Sequence, residues 1–281
     1  MQNQINLVAF GPEHIDEAIA LSRAESWPHR REDWAMAQKL SAGAVATNSD
    51  GRVTGTTFMT PFGNDYATIN MVIVDKSMRG LGLGRRLMER AFELAGERPL
   101  RLIATKEGLP LYEKLGFVAT GTIRQHQGEV GRVELPEGVE DMQAGDVEAV
   151  RALDREAYNA DRSALLDTLL DLGQIAVVRK GDGGDEVDAW AAIRPFGRGE
   201  VIGPVIAPDL ETAWALIAYF ASSRQGSFLR IDTGSETGLA PLLSEIGLAH
   251  VGGGVAMRRP LIEDAGEPKR KVFALVSQAL G

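Results

Sequence analysis

Met71-Val-Ile-Val74, Asp75-Lys-Ser-Met78, Arg79-Gly-Leu-Gly-Leu-Gly84 and Arg85-Arg-Leu-Met-Glu-Arg-Ala-Phe-Glu-Leu-Ala95 follow one another without interruption. The first run is apolar and β-branched and reads as a strand; the last is amphipathic and reads as a helix. Between them, glycines at 80, 82 and 84 allow a turn free of Cβ clashes. Several amides and the positive end of the following helix can then face one anion. A pyrophosphate is the natural guest.

Three phosphate-binding patterns compete for this segment. A Walker A loop fails, because no Gly-Lys-Ser/Thr closes the turn to supply the phosphate lysine and the magnesium ligand. The dinucleotide fingerprint G-x-G-x-x-G fails too. The run here is G-x-G-x-G, and four residues separate Arg79 from the strand that the fingerprint would follow directly. What remains is R/Q-x-x-G-x-G/A, joined about thirty residues later by Leu111-Tyr-Glu-Lys-Leu-Gly-Phe117.

This ordered pair of motifs resembles the GNAT superfamily of acyl-CoA N-acyltransferases. The resemblance implies acetyl-CoA as co-substrate, its pyrophosphate on Arg79, Gly80, Leu81, Gly82, Leu83, Gly84 and Arg85. It also implies that the strand bearing Val72, Ile73 and Val74 splays from the strand Leu100–Thr105, with the pantetheine arm in the gap. Tyr112 would then protonate the departing CoA thiolate, as a phenol of pKa near 10 can at neutral pH; on the residues alone it reads equally as an aromatic core anchor. The family often carries Asn where this chain has Thr105, so the sequence departs from the resemblance there and the cofactor contact of that side chain is not carried over.

By the same resemblance a neutral amine attacks the thioester directly, with a backbone N–H near Ile73 or Val74 stabilising the developing oxyanion. The chain has no cysteine, so no cysteinyl thioester intermediate intervenes. Glu25, His29 and Asp65 are candidates for the general base, and Asn70 for holding a water; the sequence leaves the choice open. Glu25-Ser-Trp-Pro-His-Arg-Arg-Glu-Asp-Trp34 falls where the family places its acceptor-binding helix pair. Its two tryptophans could line an amine pocket, or the stretch could be an ordinary helix-helix turn.

Working outward, the chain repeats itself. Val53-Thr-Gly-Thr-Thr-Phe-Met-Thr-Pro-Phe62 is echoed by Val187-Asp-Ala-Trp-Ala-Ala-Ile-Arg-Pro-Phe196, each preceded by a short apolar strand and a polar turn, Asn48–Gly51 and Gly181–Gly184. Ile15, Ala18 and Leu21 match Val147, Val150 and Leu153; Arg101–Thr105 resembles Leu229–Thr233, and Leu111–Phe117 resembles Leu242–Leu248. The coarse order in each half is helix, two strands, a third strand, helix, strand, helix, strand. The fold class expected is α/β with a mixed sheet, as two tandem GNAT-like folds spanning residues 1–135 and 139–281.

The second copy has lost the chemistry. Pro208-Asp-Leu-Glu-Thr212 stands where the first has its arginine and glycines, and Leu243 stands in place of Tyr112. That half is expected to wall the acceptor cleft, with Asp232 either attracting a cationic amine or capping the following turn. The final stretch Glu267–Leu280 reads as an amphipathic helix.

Composition narrows the rest. A chain of 281 residues, 44% apolar and 25% charged, suits one large or two average domains. Its formal charge of −9 has the wrong sign for a nucleic-acid partner. Scattered histidines argue against a metal site, and no apolar run approaches the roughly 20 residues of a bilayer span. A soluble cytoplasmic N-acetyltransferase acting on a small-molecule or peptide amine is the expected function. A non-catalytic acyl-CoA-binding sensor or scaffold is the alternative, and acceptor, acyl length and oligomeric state stay open.

Overall fold

The computed structural model describes residues 5–181, 185–261 and 268–281. The first half runs β1 (Asn6–Ala9), α1 (Ile15–Ala24), α2 (Arg31–Leu40), β2 (Ala42–Thr47), β3 (Val53–Phe62), β4 (Tyr66–Val74), α3 (Leu83–Ala95), β5 (Leu100–Ala104), α4 (Leu109–Lys114) and β6 (Val118–Glu129). The second half repeats this order as β7 (Val139–Asp141), α5 (Val147–Tyr158), α6 (Ser163–Leu172), β8 (Gln174–Arg179), β9 (Val187–Phe196), β10 (Gly199–Ala207), α7 (Leu210–Ser222), β11 (Phe228–Gly234), α8 (Leu239–Glu245) and β12 (Ala249–Arg259). It then adds β13 (Lys271–Ala274).

The echoed decapeptides become β3 and β9 with identical bounds, because each presents an almost wholly buried strand ending in exposed Pro and buried Phe. The coarse sequence pattern omitted a short first strand and a second helix from each half. Of the turn Gly181–Gly184, residues 182–184 lie outside the described residues; the strands flanking it, β8 and β9, pair antiparallel as expected.

All thirteen strands among the described residues join one sheet, ordered β1-β2-β3-β4-β5-β12-β6-β11-β13-β10-β9-β8-β7. The halves therefore exchange strands at the centre. The second half's β12 enters between β5 and β6, pairing Val255 with Ala104 and Arg259 with Leu100, while β6 lies against β11 from Phe228↔Glu129 to Gly234↔Ile123. A chain division at 135–139 is thus not a division of the sheet.

Two features of β4 make the site. Asn70 pairs with Phe58 and Ile73 with Thr56, so β4 carries one residue more than β3 over this stretch, a β-bulge. Met71 sits in it at φ 50°, and the Thr56 hydroxyl donates to the Met71 carbonyl at 2.7 Å, pinning the bulge. Meanwhile β4 and β5 pair in parallel only at Ala67↔Leu100 and Thr68↔Arg101. Beyond Thr68 the two strands separate.

The second half builds the same features and then closes the gap. β10 and β11 pair in parallel at Glu200↔Leu229 and Val201↔Arg230, and β10 bulges between Ile202 and Val205. Here β13 enters the gap, pairing with β10 at Val205↔Ala274 and with β11 at Thr233↔Ala274. The Thr233 hydroxyl donates to the Phe273 carbonyl at 2.6 Å, and a Cβ on Gly203 would meet the Leu275 carbonyl oxygen at 1.9 Å. This corrects the expected terminal helix. Over Lys271–Ala274 two open strand edges supply hydrogen bonds that override helical periodicity; Glu267 itself lies outside the described residues.

The helix α3 shows why the glycine loop is held firmly. Leu83, Leu87, Met88, Ala91 and Ala95 form one buried stripe against the sheet. Leu87 and Met88 are fully buried, each contributing about 1.5–3 kcal/mol of apolar burial.

Candidate active site

The separation of β4 and β5 opens a cleft of about 920 Å³. One end is the glycine loop. Gly82 is the N-cap of α3 at φ 80°, and Gly80 has φ 76°, both in the left-handed region that disfavours side chains. A Cβ at either would meet nothing within 4 Å, so the loop faces open space. The first-turn amides of α3 have no intrahelical partners. Val72, Ile73, Val74, Arg79, Gly80, Gly82, Leu83, Gly84 and Arg85 all line the cleft. Leu81, placed with them by resemblance, does not; its side chain is 69% exposed.

Tyr112 lines the same cleft from α4. The strand-to-helix connection brings it close: Thr105 Oγ1 accepts from Gly108 N at 3.2 Å, and a Cβ on Gly108 would strike the Tyr112 ring at 2.8 Å. Burial pushes the phenol up to about 12, so it stays protonated throughout the neutral range. Thr105 lines the cleft, its hydroxyl engaged with the turn.

The segment between α1 and α2 forms the opposite wall, contributing Glu25 to His29. Glu25 is drawn into an ion pair with Arg79 at 2.6 Å, with Lys76 at 4.0 Å, and so ties this wall to the glycine loop. His29 Nδ1 is shut off from solvent and has no hydrogen-bond partner among the described residues. Desolvation lowers the imidazole to about 4; Asp33 opposes the shift, and the positive charges of Arg230 and Arg194 add to it. His29 is therefore neutral at pH 7. Trp27 lines the cleft, whereas Trp34 is fully buried in the core with its indole N–H on Ser22 Oγ at 3.4 Å.

Asn70 lies at the bulge. Its Nδ2 donates to Thr60 Oγ1 at 2.8 Å and to the Thr68 carbonyl at 3.3 Å, and its buried Oδ1 has no partner among the described residues. Two expected carboxylates are elsewhere. Asp65 accepts from Asp161 N at 3.0 Å in a contact between the halves and lies outside the cleft lining. Asp232 is fully buried behind the wall, its oxygens taken by Arg230 Nε at 2.9 Å, Arg230 Nη2 at 3.1 Å and Gln278 Nε2 at 2.8 Å. Neither an amine attractor nor a turn cap, it holds Arg230 in place.

The second half was expected to wall the acceptor cleft, but sequence reading did not name the residues that reach it: Phe196, Arg230, Val251–Gly253 and Ser277–Ala279. The strand exchange delivers β12 and β11 there, and no local pattern announces it.

An opened β4/β5 gap below a glycine-capped helix, repeated in a faded copy, is the architecture of the GNAT acetyltransferases, and this chain belongs to that family. Two family profiles, both described as "Acetyltransferase (GNAT) domain", match residues 41–119 and 150–272. The chain is similar to the "Uncharacterized N-acetyltransferase YitH" of Bacillus subtilis, 29% identical with 98% of each chain covered. It is also similar to the "Holothin acyltransferase" of a Pseudoalteromonas species, 28% identical over the full length of both. Among solved structures, one from Pyrococcus horikoshii aligns over 100% of this chain and 97% of its own, with TM-score 0.82 at 19% identity. A "Tandem GNAT protein from the clavulanic acid biosynthesis pathway" aligns over 91% and 98%, with TM-score 0.64 at 14% identity. These last two are likenesses of fold. Among the described residues no helix is long and apolar enough to cross a membrane.

Proposed function

We propose that the protein transfers an acetyl group from acetyl-CoA directly to a primary amine of a small molecule or peptide, within the cleft of the first half. One observation carries this reading: the glycine loop, the free edge of β4 and Tyr112 line a single continuous cleft. The fit to an acyl-CoA rests on the open space before Gly80 and Gly82 and on cations Arg79 and Arg85 beside them. Acetyl-CoA supplies the activated acyl group.

The chain's own residues supply the rest. The loop amides, the α3 N-terminus and Arg79 hold the pyrophosphate. The β4 edge beyond Thr68 offers the pantetheine arm backbone groups that β5 leaves unpaired. Tyr112 is a protonated donor for the leaving sulfur. Asn70 Oδ1, a buried acceptor with nothing to accept from, takes a hydrogen bond from the amine or from a water through which its proton departs. His29 is too weakly basic to strip an ammonium and serves as a neutral wall of the acceptor end. The second half acts as that wall's support, its own gap filled by β13.

The test is steady-state kinetics of Tyr112→Phe by CoA release. The expected result is a fall in kcat of about 10–1000-fold with little change in the KM for acetyl-CoA. Wild-type turnover would remove the acid role.

A further inference from the structure

The acceptor end of the cleft carries charge that the protein does not balance. Arg30 is paired with Asp33 at 2.9 Å and Arg230 with Asp232 at 2.8 Å. Arg194 has no such partner. It is 3% exposed, and among the described residues it forms no ion pair; Asp33 and Asp232, whose charges favour its cationic form, are already paired with Arg30 and Arg230. Among the described residues its guanidinium reaches only backbone carbonyls, Pro195 at 3.3 Å and Val276 at 3.4 Å, and Nε has no partner. Burial lowers it to about 10, yet it remains a cation at pH 7. A buried charge without an ion-pair partner of its own is costly, and three arginines here face two aspartates.

Arg194 is not itself a lining residue of the cleft but packs against one. Phe196, a lining residue, has Arg194 5.0 Å from its ring centroid, Arg230 at 5.1 Å and the His29 ring at 5.8 Å. Arg230 itself lines the cleft, and Asp232 engages its Nε and Nη2, leaving Nη1 without a hydrogen bond among the described residues. Gln278 locks the Asp232 carboxylate from the other side, so the fork is held in one orientation. With His29 neutral, this end of the cleft presents net positive charge.

Resting on the transferase reading above, we propose that the acceptor is an amine that also carries a carboxylate, an amino acid or amino-acid-like acid whose carboxylate is bound by the Arg230 guanidinium in the field of Arg194. A guanidinium favours a carboxylate by charge-assisted hydrogen bonds. The same field repels a second ammonium, which disfavours polyamines, and it eases loss of the proton from the reacting amine, the charge effect that also acts on His29.

The experiment uses the full chain and CoA release with matched acceptors that differ by one carboxylate: L-phenylalanine and phenethylamine, L-ornithine and putrescine, 4-aminobutyrate and propylamine. The carboxylated members are expected to show kcat/KM higher by about tenfold or more. Arg230→Gln should raise their KM by a similar factor without moving the acetyl-CoA KM. Because that variant leaves Asp232 buried and short of a partner, the doubly neutral R230Q/D232N is made beside it and should lose the same preference. Faster turnover of the decarboxylated members, or a preference that survives in R230Q/D232N, overturns the substrate inference and leaves the transferase reading standing. Release of CoA with no amine of either kind, by protein that binds acetyl-CoA, overturns the transferase reading and this inference with it.

Discussion

His29 sits where a base would be looked for, and its surroundings make it a poor one. Its folded value near 4, against 6.5 when free, has a consequence for stability. Between these values the unfolded chain binds a proton that the folded chain refuses, so stability falls as pH drops from 6.5 toward 4. Thermal denaturation of His29→Gln against wild type should show a shallower loss across that window; identical slopes would mean that the ring is not held neutral. At this scale the sequence was most legible where chemistry is local. The left-handed turn at Gly80 and Gly82 could be read from the glycine spacing, because it depends on near neighbours, whereas Tyr112 was singled out by the family resemblance. Asp65, Asp232 and Trp34 could not be placed, since a carboxylate facing a cleft and one sealed behind it look the same in a string of letters. Arg194 and Arg230 went unnoticed for the same reason.

Among the elements, α2 shows how one side chain can serve a helix end and an interface together. Asp33 accepts from the Arg30 backbone N–H at 2.8 Å at the helix N-terminus and from Gly197 N at 3.0 Å across the halves. Burial alone would raise its carboxyl, but the hydrogen bonds from Arg30 and Gly197 outweigh it and hold it below the usual range. The stability it contributes is whole above the free value of 3.8 and is lost as pH falls through its lower folded value. Asp33→Ala should cost about 1–3 kcal/mol at pH 7 in urea denaturation, a difference that shrinks in acid; a neutral substitution would show that the contact carries nothing. The repeated decapeptides pointed to β3 and β9 in advance because both are buried almost throughout and end in the same Pro-Phe pair. The last strand escaped notice because Lys271–Ala274 has no strand pattern of its own and takes its conformation from the two edges it joins.

For the whole molecule, strand exchange decides what counts as a unit. A fragment of residues 1–137 contains every residue of the glycine loop and Tyr112 but leaves β5 without β12 and β6 without both its neighbours. Such a fragment should show no cooperative thermal transition and no acetyl-CoA binding, whereas a cooperative transition matching the full chain would mean that the exchanged strands are dispensable. The repeat told of two copies but not of their interleaving, because β6 and β12 are alike and either partner satisfies the same edge. What the second copy gave up follows from the same topology: β13 supplies backbone groups to the edges that, in the first half, are left for a substrate.

One titration bears most directly on the central claim that a single working acyl-CoA site lies in the first half. Isothermal calorimetry of acetyl-CoA into the full chain should give one site per chain, and Gly82→Glu, which puts a carboxylate and a strained φ at the N-cap of α3, should abolish it. Two sites per chain, or unchanged affinity in the folded Gly82→Glu protein, would contradict the account.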